Sequence, residues 1–149
     1  MVATEIPTEV QLGVSNALLI RRGLLLQCPA CGERGLIVRW FGIRDRCPTC
    51  DLLVDRIEGH FIGYIGLNVM VCFTLTFVVL MAGTIAMIPN IHPWTLLGIA
   101  VLPGILGPIL FAPGSRTTWT AIDLAMRPLK PGEIDPRFVK VDPARDAPE

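Results

Sequence analysis

Four of the five cysteines in this 149-residue chain form two pairs with identical spacing. Cys28 and Cys31 enclose two residues, and after fifteen further residues Cys47 and Cys50 repeat the arrangement. A C-x2-C turn directs two sulfurs at one centre, so two such turns supply the four thiolates of a tetrahedral zinc site. The spacing therefore predicts one zinc ion per chain. Because four protein ligands close the coordination sphere, the site is predicted to be structural, with no open position for a substrate.

The residues around these cysteines fit a small zinc-ribbon-like β module at 28–57. A proline follows the first cysteine of each pair and stiffens the turn, and Gly32 can adopt the positive φ that often follows it. Between the pairs, residues 36–41 predict a strand, and Gly42 supports a turn into a second short strand.

Other uses of the four cysteines remain open at this point. Disulfides need an oxidising compartment, and a thioredoxin-type redox pair is suggested by the Cys-Pro-Ala-Cys tetrapeptide but lacks its βαβ surroundings. An iron–sulfur cluster uses the same four ligands, and the sequence does not exclude it.

The charges of the chain are unevenly distributed. Residues 61–115 contain no Asp, Glu, Lys or Arg, although 13 basic and 13 acidic residues lie elsewhere. A chain this short cannot bury such a block within a soluble core, and its mean hydropathy is high at +0.56. The sequence therefore predicts a membrane α-helical protein, in which lipid covers the block. The balanced charge argues against a nucleic-acid partner.

The uncharged block is long enough for two membrane-spanning helices. We predict a transmembrane hairpin at 61–112, with spans near 64–88 and 94–112. A Pro-Asn-Ile-His-Pro segment marks the turn between them. Proline and glycine interrupt the second span, which is therefore expected to be kinked and packed on the first, because its freed carbonyls need partners in lipid. A re-entrant second segment is the alternative.

Small and weakly polar residues recur along both spans, as they do where membrane helices pack closely. Cys72 belongs to this group as a small packing residue. The predicted helix-packing residues are Asn68, Cys72, Thr76 and Gly83 in the first span and Ala100, Gly104 and Gly107 in the second.

The flanking segments are assigned by composition. Residues 1–27 include a short helix that lies in the membrane interface or packs on the metal module. Residues 113–130 predict a surface-bound amphipathic helix with an interfacial Trp119. Residues 131–149 predict a disordered tail. Lysine and arginine flank the block but are absent from its central turn, so both termini are predicted to be cytoplasmic.

The surroundings of three further residues are also predicted. Trp40 is predicted to lie in the core of the ribbon, Asp123 on the polar face of the surface helix, and His60 in solvent at the membrane entrance.

The order of these segments resembles a bacterial membrane family catalogued as domain of unknown function nine hundred and eighty-three. The resemblance rests on Arg-Gly before CPACGERG, on RDRCPTC, on the two spans and on the basic, Trp-containing segment, and it covers roughly Arg21 to Arg127. It implies a two-span inner-membrane protein with a cytoplasmic ribbon, held by the same four cysteines. In some bacteria, the genes of family members look like neighbours of respiratory oxidase assembly genes. Asp51 departs from the pattern, which has glycine there.

These features favour a non-enzymatic adaptor or assembly factor over an enzyme, because no catalytic pair is present. Its expected partners are the lipid bilayer and a membrane protein or further copies of the chain. One competing interpretation is a redox or metal-handling protein that uses the cysteine pairs. Another is a transporter or channel subunit built by oligomerising the hairpin.

Overall fold

A computed structural model describes residues 8–139 of the chain, and within them the fold is mostly helical. The elements are α1 (Thr8–Leu12), α2 (Asn16–Leu24), β1 (Ile37–Arg39), β2 (Gly42–Ile43), α3 (His60–Ala86), α4 (Pro93–Val101), a π-helical segment (Leu102–Leu106), α5 (Gly107–Met126) and a 3₁₀ turn (Pro136–Phe138). Strands β1 and β2 pair antiparallel, with Ile37 opposite Ile43.

Two helices are long and apolar enough to cross a membrane, judged by length and composition. One is α3, with 27 residues, and the other is the continuous 34-residue helix Pro93–Met126 formed by α4, the π-helical segment and α5. Along their most apolar stretches, few side chains are covered by the rest of the chain. Met70 and Phe73, for example, are 68% and 72% exposed.

The second long helix continues through the prolines that were predicted to end it near residue 112. Pro113 lies inside α5, where it provides no N–H for the carbonyl of Ile109. The indole Nε1 of Trp40 donates a hydrogen bond to that carbonyl at 2.6 Å. Trp40 is 51% exposed, so the prediction that it fills the ribbon core is wrong. The helix continues because a side chain from the β1–β2 turn satisfies the carbonyl that the proline frees.

The second half of α5 packs against α2, which differs from the separate surface helix predicted at 113–130. Gly23 of α2 lies so close to α5 that an added Cβ would be 2.8 Å from the carbonyl oxygen of Thr117 and 2.9 Å from Cβ of Ala121. The hydroxyl of Thr117 donates to the Gly23 carbonyl at 2.7 Å. The helix predicted within residues 1–27 is thus divided into α1 and α2 and packs on α5, while residues 1–7 lie outside the described range.

One core joins the cysteine module to both ends of the described chain. It contains Leu19 of α2, Leu36 and Leu52 beside the cysteines, and Leu124 of α5, each at most 1% exposed. Residues 131–139 also pack on this core through the buried Ile134, which differs from the predicted disordered tail. Residues 140–149 of that predicted tail lie outside the described range.

Candidate metal centre

The sulfurs of Cys28, Cys31, Cys47 and Cys50 all lie within 4.8 Å of one another. The sulfur of Cys28 is 3.6 Å from that of Cys50, and the sulfur of Cys31 is 3.7 Å from that of Cys47. A tetrahedral zinc ion with Zn–S bonds of about 2.3 Å holds its sulfurs about 3.8 Å apart. The four side chains thus surround a centre of the size of one tetrahedral ion.

The two cysteine turns have the same backbone geometry. In the first, the N–H of Gly32 donates to the carbonyl of Cys28; in the second, the N–H of Asp51 donates to the carbonyl of Cys47. Gly32 and Asp51 both have positive φ, at 83° and 56°. The left-handed conformation expected at Gly32 therefore recurs at Asp51, which suits aspartate less well than glycine but is tolerated by it.

An arginine side chain lies against each turn. Arg22, from the last turn of α2, donates to the carbonyl oxygens of Pro29 and Ala30 at 3.2 and 2.6 Å. Arg46 donates to the carbonyl and carboxylate oxygens of Asp51 at 3.1 and 2.9 Å. Four thiolates around a divalent cation carry a net charge of −2, so two nearby guanidinium groups favour that charge.

Two of the thiols, those of Cys28 and Cys31, resist ionisation when no cation is present. The close sulfur of Cys50, together with burial, raises the pKa of Cys28 far above its usual range. Burial and the neighbouring Cys28 raise the pKa of Cys31 to about 12. Both effects disfavour several negative sulfurs in one small volume, and a bound cation reverses them because it is attracted to the thiolates. This arrangement fits a metal ion, and the donor set of four soft thiolates suits zinc or iron.

The sulfur contacts also bear on the redox alternative. Each of the two sulfur contacts at 3.6 and 3.7 Å joins a cysteine of one pair to a cysteine of the other pair. A thioredoxin-type site brings together the two cysteines of a single C-x2-C motif. The observed pairing favours a shared ion over an internal redox pair.

The predicted helix-packing residues lie mainly where α3 meets the second long helix. The Asn68 amide donates to the Pro108 carbonyl at 3.0 Å, and the Cys72 thiol donates to the Asn68 side-chain oxygen at 3.3 Å. A Cβ on Gly107 would lie 3.3 Å from the Cys72 sulfur. Gly83 approaches the second helix as closely, since a Cβ there would lie 3.2 Å from Leu96. Gly104 is further from its neighbour, with 4.0 Å between an added Cβ and the Thr76 hydroxyl oxygen, and Ala100 is half-buried.

A buried ion cluster beside the metal centre was missed at the sequence level. Arg56 donates to Asp123 at 2.9 Å, to Glu133 at 2.8 and 3.0 Å, and to the Pro128 carbonyl at 2.7 Å. The Arg56 and Asp123 side chains are 3% and 1% exposed. The placement of Asp123 on a polar, solvated face is therefore wrong. The sequence did contain an indication of this cluster. Asp123 stands among apolar residues of α5, which indicates burial, and a buried carboxylate needs a cationic partner.

The entrance to α3 is also more enclosed than predicted. His60 is 3% exposed and its ring lies 6.4 Å, centre to centre, from that of Trp119. Gly63 leaves the space that the Trp119 indole occupies, because a Cβ there would overlap the ring. The expected solvent exposure of His60 is therefore wrong, and half-buried Trp119 packs on α3.

No protein-family model matches this sequence, and searches of curated proteins and of solved structures likewise find no match.

Proposed function

We propose that this chain is a membrane-anchored zinc protein that acts as a non-enzymatic adaptor or assembly factor. The observation that carries the proposal is the set of four cysteine sulfurs within 4.8 Å of one another, fixed to a helix that is long and apolar enough to span a membrane. Four thiolates leave no coordination position for a substrate, so the ion would organise a surface and not perform a reaction.

Zinc is the proposed ion because a single tetrahedral centre matches the sulfur separations. A cluster of several irons would hold its cysteines further apart than one ion does. Detergent-purified protein should therefore contain about one zinc per chain and show no visible absorption band. A coloured protein with iron, with or without sulfide, would overturn the zinc assignment.

The cysteines allow a matched control for this measurement. Cys28→Ser should release the metal, whereas Cys72→Ser should retain it, since Cys72 lies in α3 next to Asn68. A metal-binding module of this size draws on the order of 10 kcal/mol of folding free energy from its ion. We therefore expect the first variant to lose the module's structure and the second to keep it.

The adaptor role predicts a metal-dependent partner within the membrane. In-cell crosslinking should capture the same defined partner with the wild type and with Cys72→Ser, but not with Cys28→Ser. If all three variants capture it equally, the metal module has no part in the interaction and the adaptor proposal fails. We propose an assembly role in a respiratory membrane complex as the specific form, on the family resemblance alone.

The proposed topology places the module and both termini in the cytoplasm at a bacterial inner membrane. The support is the placement of all 13 lysines and arginines outside the uncharged block. Reporter fusions at Met1 and Glu149 should both indicate cytoplasm, and a tag inserted at Asn90 should indicate the opposite side. Termini on opposite sides would leave a single span.

A further inference from the structure

A groove of about 440 Å³ lies between the turn of the β hairpin and the two long helices. Its walls are mostly apolar and its rim carries one cation. The residues that matter for its chemistry are Phe41, Ile65, Val69, Ile109, Ala112 and Arg116.

Arg116 has no carboxylate partner in the groove. Its guanidinium lies over the ring of Tyr64, 4.8 Å from the ring centre. The ion pairs found within residues 8–139 do not include Arg116. A cation stacked on an aromatic ring keeps its N–H groups free for an anion, and guanidinium matches phosphate geometry.

The position of Arg116 along the helix corresponds to the edge of the bilayer. It is the first charged residue after the uncharged block, so it lies where α5 would leave the hydrocarbon. Ile109 is seven residues earlier in α5, about 10 Å deeper at 1.5 Å per residue. The groove therefore extends from headgroup depth at Arg116 into the hydrocarbon layer at Ile109.

The β hairpin closes one side of the groove at that depth. The Trp40 indole is bonded to the Ile109 carbonyl, and the neighbouring Phe41 lines the groove while remaining 62% exposed. Tryptophan is typical of the membrane interface. The turn of the hairpin is thus suited to contact lipid.

We propose that this groove binds one anionic phospholipid, with its phosphate on Arg116 and an acyl chain along Ile65, Val69 and Ile109. The proposal rests on the membrane insertion assumed in the proposed function. The positive charge of Arg116 favours a lipid with net negative charge, because a zwitterionic headgroup already holds its own cation beside the phosphate.

Quenching of the fluorescence of Trp40 and Trp119 tests this binding. The protein, carrying Trp94→Phe to remove a tryptophan that is 82% exposed, is reconstituted in phosphatidylcholine vesicles. Phosphatidylglycerol with brominated acyl chains is then titrated in, and brominated phosphatidylcholine serves as the comparison lipid. We expect saturable quenching at a lower mole fraction for the anionic lipid.

Two variants and one control separate the site from general attraction. Arg116→Ala should weaken the apparent affinity for brominated phosphatidylglycerol by about tenfold, the lower range for hydrogen bonds to a charged group. Ala112→Phe, which fills the groove without changing charge, should cause a similar loss. Arg21→Ala removes the same charge from an exposed position on α2 and should change the affinity less than about twofold, since it makes no contact with the groove.

The possible results have separate meanings. Quenching by brominated phosphatidylcholine without an Arg116-dependent preference overturns the lipid site and leaves membrane insertion intact. If neither lipid quenches the fluorescence, both the lipid site and membrane insertion are overturned. If Ala112→Phe instead abolishes a dimer, a second copy of the chain occupies the groove and the lipid proposal is wrong.

Discussion

Replacing Asp123 with alanine should destabilise the metal-binding end of the molecule strongly. The change leaves the guanidinium of Arg56, which is 3% exposed, without the carboxylate that lies 2.9 Å away. Removing one partner of a buried ion pair costs about 3–5 kcal/mol. Glu133 still accepts two hydrogen bonds from Arg56, at 2.8 and 3.0 Å. We therefore expect the lower end of the range, about 3 kcal/mol.

Urea titration of the detergent-purified protein measures this cost. Unfolding is followed by far-UV ellipticity and by release of the metal to a chromophoric chelator. With a slope of about 1 kcal/mol per molar urea, Asp123→Ala should lower the midpoint by about 3 M. The control is Arg137→Ala, which removes an arginine that is 84% exposed and whose ion pair within residues 8–139 is with Asp135, and it should leave the midpoint unchanged.

A double-mutant cycle decides whether the effect comes from the ion pair itself. Arg56→Met alone leaves two carboxylates buried, so it should also be strongly destabilising. Arg56→Met combined with Asp123→Ala should cost at least about 1 kcal/mol less than the sum of the single changes. A cycle that is additive within about 0.5 kcal/mol, or an Asp123→Ala midpoint equal to that of the wild type, would refute the reasoning.

Three further predictions concern the metal and the helices. Arg22→Ala should weaken metal affinity at least about tenfold in a competition assay with a chelator, while Arg21→Ala should leave it unchanged; equal effects would exclude a role for the hydrogen bonds to the first cysteine turn. Since the pKa of Cys28 is raised and that of Cys31 reaches about 12, these two thiols hold their protons at neutral pH in the metal-free site, and metal uptake should release at least two protons per ion. Affinity should therefore fall as pH is lowered, and calorimetry in buffers of different ionisation enthalpy checks the count, with fewer than two protons contradicting it. Gly107→Leu should destabilise the packing of the long helices by about 1–3 kcal/mol, whereas Gly98→Leu, with open space around it, should not, as measured by thermal unfolding in detergent.

The cluster of four cysteines could be predicted from the sequence because its geometry is set locally. A C-x2-C turn fixes the positions of two sulfurs within four residues, and two such turns need only meet. The same local logic explains Gly32 and Asp51, which occupy equivalent positive-φ positions after the two turns. The first long helix, α3, could be predicted equally well, since its length and composition do not depend on its partners, whereas the second extends beyond its predicted end.

The interactions between distant segments could not be predicted in this way. Helical periodicity identifies one face of α5 but not what covers it, and the helix that covers it through Gly23 lies 94 residues away from Thr117 in the sequence. The partner of Asp123 is similarly remote, 67 residues away at Arg56. Proline was taken as a helix end, although one side chain, Trp40, is enough to satisfy the single carbonyl that Pro113 frees.

The contacts of the tail give the adaptor proposal a physical basis. The N–H of Asp135 donates to the carbonyl of Cys50, and two residues earlier the Glu133 carboxylate accepts from Arg56. Arg56 in turn binds Asp123 of α5, so hydrogen bonds connect the cysteine cluster to a helix of the apolar pair. Because this path is largely buried, its bonds are stronger than equivalent bonds in water and hold a fixed geometry. Under the adaptor proposal, a partner that binds the cysteine module would be connected to α5 through these bonds, whereas a module on a flexible linker would lack such a connection.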